Sequence, residues 1–471
     1  MFLKNLPFSF AWICLLCSPV WLRAQTLSDS AIYRKADSLI RLMTLEEKVN
    51  MIHASSSFTS GGVPRLGIPE LVMSDGPNGV RMEHGRGWTE LNVDDSVTYL
   101  PVGVCLAATW NPQLGYAFGT VLGSEANARG KDVILGPGIC VIRTPLNGRN
   151  FEYMSEDPYL ISQMVVGYIR GVQSQGIAAC VKHYLANNQE TDRFTINVDM
   201  PERALHEIYL PGFKAAVQQG HVLTLMGAYN RFRGQYCTEN AYLINNILKS
   251  QFGFQGLVMS DWGAVHNTME ALMNGTDLEM GTDLSMLPHP DYHKFFMGDT
   301  VISLVKRGIV PESVVDEKVR RILYVMFKVH KFDSLRPEGE RNTPEHQAVA
   351  LKVAEEGIVL LKNEDHLLPF DQKKVKTIAV IGASADWKNA GAGGSSQVPA
   401  LFEITPLQGI RDLVGPRVRV VYAPGYRIAR DFHADPAMIQ QAVEAARKAD
   451  MVIYVGGWIH GYSNAWDDNA Y

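Results

Sequence analysis

The sequence predicts an α/β protein: a TIM-type (β/α)8 barrel followed by an α/β sandwich domain with a mostly parallel sheet. Three observations predict it. The chain has 471 residues, more than one ordinary domain holds. From about Leu66, short apolar runs alternate with amphipathic stretches suited to helices, over roughly 250 residues. That alternation breaks at the polar, proline-containing stretch 331–341 and resumes with a new set of β-branched runs.

These signals divide the chain into a signal peptide over 1–24, a barrel over 25–335, a linker with a lead-in helix over 336–356, and a sandwich domain over 357–471. The first segment carries Lys4, an apolar run over 8–22, and then Arg23-Ala24-Gln25, which permits cleavage after Ala24. Export to the periplasm or the extracellular space is therefore expected. Beyond it, Thr44 and Glu47 stand at capping-box spacing and predict a helix start.

Five apolar runs then end in polar or glycine-rich turns: 68–73 in Ser74-Asp75-Gly76-Pro77, 133–135 in Gly136-Pro137-Gly138, 177–181 in Lys182-His183, 222–225 in Met226-Gly227-Ala228-Tyr229, and 257–259 in Ser260-Asp261-Trp262. Helices are expected over 159–175, 202–219 and 240–251, with 299–306 and 311–329 ending the barrel. In the second domain, 345–356 and 437–449 read as helices, and 357–361, 377–381, 418–422 and 451–455 as strands. These are too few strands to close a normal sheet, so the domain reads as cut short at its C-terminus. The glycine-rich loop 391–396 lacks the lysine and the strand–helix context of a phosphate cradle and reads as a lid or site-lining loop.

Composition excludes some classes. Hydrophobic residues make up 46% and charged residues 20%, with a net charge of −5. Without a basic tract, nucleic acid is not an expected partner. No membrane span is expected once the leader is removed. Cys105, Cys140, Cys180 and Cys237 are widely spaced with no CxxC pair or histidine cluster, so no metal site is predicted and buried free thiols are expected.

Functional side chains of a TIM-type barrel gather at the C-terminal ends of its strands. There the pattern places Asp75, Lys182, His183, Tyr229, Asp261 and Trp262 at one mouth. Asp75 can accept two hydroxyl hydrogen bonds, while Lys182 and His183 donate. A cation beside Asp261 keeps that carboxylate ionised, and the Trp262 indole offers a flat apolar wall suited to a sugar ring. Each group alone has a structural explanation; stability does not require six of them at successive strand ends.

The chain resembles the glycoside hydrolase family 3 enzymes from about Leu45 to its C-terminus. The matching segments are Ser74-Asp75-Gly76-Pro77-Asn78-Gly79-Val80-Arg81, Gly148-Arg149-Asn150-Phe151-Glu152-Tyr153-Met154-Ser155-Glu156-Asp157-Pro158, Val181-Lys182-His183-Tyr184 with Asn188-Gln189-Glu190 and Arg193, Met226-Gly227-Ala228-Tyr229-Asn230, and Ser260-Asp261-Trp262-Gly263. The resemblance implies a retaining, exo-acting β-glycosidase of the β-glucosidase type, needing no cofactor, acting on the terminal non-reducing glucose of an oligosaccharide or glycoside. It implies that Asp261 is the nucleophile and that Asp75, Arg81, Arg149, Lys182, His183 and Arg193 hold the sugar. Met226, Tyr229 and Trp262 would line the subsite, and Ser395 would border it, although Ser396 stands where glycine is common in the family.

Retention requires a second carboxylic acid ~5–5.5 Å from the first. The resemblance implies a glutamate in the sandwich domain, in a segment that Gly456-Gly457-Trp458 approaches, and places it beyond Tyr471. The family's N-acetylhexosaminidase branch uses a second histidine after Lys-His instead; here Tyr184-Leu185-Ala186 follows Lys182-His183. Two alternatives remain: a β-xylosidase or arabinofuranosidase of the same family, or a sugar-binding protein with impaired catalysis.

Overall fold

A computed structural model describes residues 27–81, 95–281, 291–390, 395, 397–429 and 433–457. The expected leader over 1–24, the loop residues 391–394 and 396, and the segment 458–471 lie outside the described residues.

Among the described residues, five parallel strands form the barrel wall: β1 (Met73–Asp75), β2 (Val133–Leu135), β3 (Ala178–Tyr184), β4 (Thr224–Gly227) and β5 (Leu257–Ser260). They are hydrogen-bonded in the order β5-β4-β3-β2-β1. Shorter pairings continue the wall past β5. Leu278 bridges Met259, Glu279 bridges His53, and Thr59 bridges Val72, which leads into β1. The Ala54 N–H donates to the Glu279 carbonyl at 2.8 Å, and the Met73 N–H to the Phe58 carbonyl at 2.8 Å. Side chains alternate between two apolar clusters. Val133, Leu135, Ala178 and Cys180 join one with Met226, Met259 and the first helices. Ile134, Ala179 and Val181 join the other, with the flanking helices. A parallel strand covered on both faces requires this double burial.

The first expected helix starts where its capping box predicts. The Thr44–Glu47 capping box is formed at the head of α1 (Leu45–Met51). Then α2 (Pro112–Ala128) and α3 (Pro158–Gln173) pack so closely that glycine is required at the contact: a Cβ on Gly119 would lie 2.2 Å from the Tyr168 carbonyl oxygen. The expected helix 202–219 is broken. Its first turns pass into i to i+5 bonding over Leu205–Tyr209, and Pro211 then starts α4 (Pro211–Gln218), because proline has no N–H to continue the earlier ladder. α5 (Tyr242–Gln251) is also wound i to i+5.

The second unit begins with α6 (Pro344–Gly357), joined to the barrel by the His346 Nδ1–Glu125 contact of 2.9 Å. Its sheet comprises β6 (Thr377–Ile381), β7 (Arg419–Ala423) and β8 (Met451–Tyr454), all parallel, in the order β7-β6-β8. The expected strand 357–361 does not form. Gly357 ends α6, and Ile358 and Leu361 stand 79% and 91% exposed. β-Branched composition favours a strand only where a neighbouring edge offers hydrogen bonds, and no described strand pairs with this segment. The connection after β6 returns to the barrel: the Val97 N–H donates to the Pro399 carbonyl at 2.9 Å, and Val398 packs in the cluster that holds Val80 and Val97.

Cys140, Cys180 and Cys237 are buried free thiols, whereas Cys105 is only half-buried beside Val353. Burial pushes the Cys140 thiol up to about 11, and those of Cys180 and Cys237 to about 12. No helix of the described residues is long and apolar enough to cross a membrane.

Candidate active site

The C-terminal strand ends bring most of the expected residues together. Asp75 ends β1, Lys182 and His183 lie inside β3 rather than after it, Tyr229 follows β4 by two residues, and Asp261 comes directly after β5. Loops supply Arg81, Arg149 and Arg193.

The cluster is a network of buried charges. Lys182 Nζ lies 3.3 Å from Asp75 Oδ1 and 4.0 Å from Glu152 Oε2. Arg81 Nη1 is 3.9 Å from Asp75 Oδ2. Arg149 binds Glu152 Oε1 through both Nε and Nη2, and its Nη1 lies 3.9 Å from Glu190 Oε1. Arg193 Nη1 donates to Glu190 Oε2 at 2.7 Å. Burial pulls the Lys182 ammonium downward, but the Asp75 and Glu152 carboxylates outweigh it and raise the group above its ordinary value. Burial would raise Glu152, yet Arg149, Lys182 and the Ser395 hydroxyl hold it below the usual carboxylate range. Glu190 is raised, because burial outweighs its two arginines.

His183 occupies the centre. Its Nε2 is 3.1 Å from Arg149 Nη2, and its Nδ1 is 3.2 Å from the Tyr153 hydroxyl. Arginine only donates, so Nε2 accepts. Tyr153 donates its own proton to the Asn187 carbonyl at 3.2 Å, so its oxygen accepts from Nδ1–H. Burial, then Arg149, Lys182 and Arg193, push the imidazole well below its ordinary value, and the ring is neutral. In this arrangement the imidazole N–H points to Tyr153.

Asp261 is buried, with Oδ1 accepting the Trp262 N–H at 2.8 Å. The Tyr229 phenol also interacts with this carboxyl group. The expectation that cations hold this carboxyl low meets a stronger opposing effect. Burial raises it above the usual range, and Arg149, Arg193, Lys182 and the Trp262 N–H offset only part of that rise. The arrangement presents a buried carboxyl group beside a set of hydrogen-bond donors.

Aromatic side chains form the wall. The Arg193 guanidinium lies 4.6 Å from the Tyr229 ring centre and 4.7 Å from that of Phe194. Trp262 is fixed by its Nε1–H to the Ser57 carbonyl at 2.8 Å and leans on Phe58. Met226 stands apart from the polar network, packed in the barrel cluster beside its strand partner Met259. Ser395 reaches in from the second unit, its hydroxyl donating to Glu152 Oε2 at 2.8 Å.

Glu152, Tyr153 and Glu190 belong to this network although sequence reasoning assigned them no role. A signal was present: Glu152 lies three residues after Arg149 and Glu190 three before Arg193, a spacing that lets each carboxylate meet its arginine. Asp75, Glu152 and Glu190 each face Lys182 or an arginine, which leaves none of them placed as a free proton donor. Among the described residues, no group of three His, Cys, Asp or Glu side chains could hold a metal ion.

Comparison with known proteins gives a consistent picture. The glycosyl hydrolase family 3 N terminal domain matches residues 41–325, and the glycosyl hydrolase family 3 C-terminal domain matches 358–468. The chain is 46% identical over 447 residues to the beta-glucosidase BoGH3A of Bacteroides ovatus, covering 90% of this chain and 59% of that protein. It is 36% identical over 434 residues to thermostable beta-glucosidase B of Acetivibrio thermocellus, covering 92% of this chain and 56% of that protein. The chain thus spans less than three-fifths of the length of either relative. Among solved structures, beta-glucosidase 3B of Thermotoga neapolitana in complex with glucose superposes with a TM-score of 0.80 at 32% identity, covering 91% of this chain and 63% of that one.

Proposed function

The chain belongs to glycosyl hydrolase family 3, and on that premise we propose that it acts as an exported, retaining, exo-acting β-glucosidase with Asp261 as its nucleophile. The observation that carries this is the placement of Asp261: buried directly after β5, held at one oxygen by the Trp262 N–H, and faced by the Tyr229 phenol and three cations. Around it, Arg149, Lys182 and Arg193 carry the positive charge that favours its ionised form.

In this reading, Asp261 Oδ2 attacks the anomeric carbon, the bond to the leaving oxygen breaks, and a covalent glycosyl–enzyme forms on the aspartate. Asp75 accepts from sugar hydroxyls, while Arg149, Lys182 and Arg193 donate to them. Tyr229 and Trp262 supply apolar walls. A second carboxylic acid protonates the leaving oxygen and then activates water. Asp75, Glu152 and Glu190, all engaged with cations, are not assigned that role. The relatives named beta-glucosidases and the glucose complex of one of them support glucose as the sugar.

An aryl β-glucoside with a good leaving group tests the proposal, because its first step needs little acid assistance. The expected result is release of the aryl alcohol by the wild type and its loss in Asp261→Asn. Unchanged release by Asp261→Asn would overturn the nucleophile assignment.

A further inference from the structure

We propose that Glu152 is a positioning residue that couples the second domain to the sugar clamp, its carboxylate receiving Arg149 and Lys182 from the barrel and the Ser395 hydroxyl from the sandwich loop. The inference rests on the glycosidase reading above and adds to it the means by which the second domain acts on the barrel site.

The carboxylate is the meeting point of three elements. Glu152 is 2% exposed and ends the turn Asn150–Glu152. Its Oε1 takes Arg149, and its Oε2 takes Ser395 at 2.8 Å with Lys182 at 4.0 Å. Ser395 is anchored in turn, because the chain just after it docks on the barrel through Val97–Pro399 and Val398. A shift of that loop would therefore pull directly on the group that orients both cations.

Glu152 also governs charge at the nucleophile. Arg149 and Lys182 face Asp261 as well as Glu152, so an ionised Glu152 cancels part of the positive field they would otherwise present. The other groups facing Asp261 are Arg193, the neutral His183 and the Tyr229 phenol. Those behind Glu152 are Tyr153, Glu190 across Arg149 and Asp75 across Lys182.

The test uses the full chain and an aryl β-glucoside, with Glu152→Gln, Ser395→Ala and the double variant. Glu152→Gln keeps the shape and removes the charge. Asp261 should then ionise more easily, and the acid limb of kcat/KM should move about half a pH unit lower. KM should rise about tenfold as the clamp loosens. Ser395→Ala leaves the charge in place, so it should raise KM about threefold and leave the acid limb where it was. The double variant should be no worse than Glu152→Gln alone, since Ser395 acts through Glu152. An acid limb unmoved in Glu152→Gln, or additive losses in the double variant, would overturn the inference. If Glu152→Gln does not fold, Ser395→Ala still decides: an unchanged KM overturns it. A wild type that neither hydrolyses nor binds glucoside would overturn the proposed function and this inference with it, whereas an active wild type with indifferent variants overturns this inference alone.

Discussion

Asp261 Oδ2 lies 3.5 Å from His183 Nε2, yet the two share no hydrogen bond. Arg149 occupies the Nε2 lone pair and Tyr153 receives the Nδ1 proton, so the imidazole has nothing to give the aspartate.

The pH dependence follows from that contact. As the proposed nucleophile, Asp261 must be ionised to attack, and burial raises its pKa despite Arg149, Arg193 and Lys182. Activity should therefore fall as pH drops through a value above the ordinary aspartate pKa of about 3.9. His183 is pushed well below its ordinary value, so it should add no limb near pH 6.5. The pH profile of kcat/KM on an aryl β-glucoside checks both points. A limb at or below the ordinary aspartate value, or one near pH 6.5 that disappears in His183→Gln, would contradict them.

In the proposed mechanism Lys182 couples the sugar clamp to the nucleophile. Lys182→Met leaves Asp75 facing only the more distant Arg81 and removes one cation from Asp261. Breaking a buried pair from one side costs about 3–5 kcal/mol, so kcat/KM should fall by about two to four orders of magnitude. The acid limb should also move to higher pH, because the group that lowers the Asp261 pKa is gone. Steady-state kinetics across pH separate this from a loss of binding alone, which would leave the limb in place.

Gly119→Ala tests the barrel's packing away from the site. The added carbon would meet the Tyr168 carbonyl oxygen, a backbone atom, at 2.2 Å, and α2 and α3 would have to separate. Overpacking of this kind costs about 1–3 kcal/mol. Thermal denaturation followed by circular dichroism should show a lowered Tm, and an unchanged Tm would refute the close-approach argument.

Much of the architecture was legible because strand ends carry their own punctuation. Val133–Leu135 and Thr377–Ile381 fall where the apolar runs place them, and Asp261 follows its strand directly. Lys182 and His183 were read as following a strand because they are polar. They lie within β3 instead, since Asp75, Glu152, Arg149 and Tyr153 satisfy them in the interior. The failure at 357–361 has the opposite cause: an apolar run gives no information about whether an edge is available to pair with it. Glu152 and Glu190 are not distinctive in the sequence, because a carboxylate three residues from an arginine is ordinary on a surface. Only the folded barrel shows both pairs buried, with Ser395 brought to one of them from more than two hundred residues away.

The central claim is that Asp261 forms the covalent intermediate. A 2-deoxy-2-fluoro-β-glucoside with an activated leaving group traps such an intermediate by slowing its breakdown, and peptide mass spectrometry locates the label. The account predicts a single fluoroglucosyl adduct on the peptide holding Ser260-Asp261-Trp262, absent in Asp261→Asn. An adduct on Asp75, Glu152, Glu190 or any other carboxylate would contradict it.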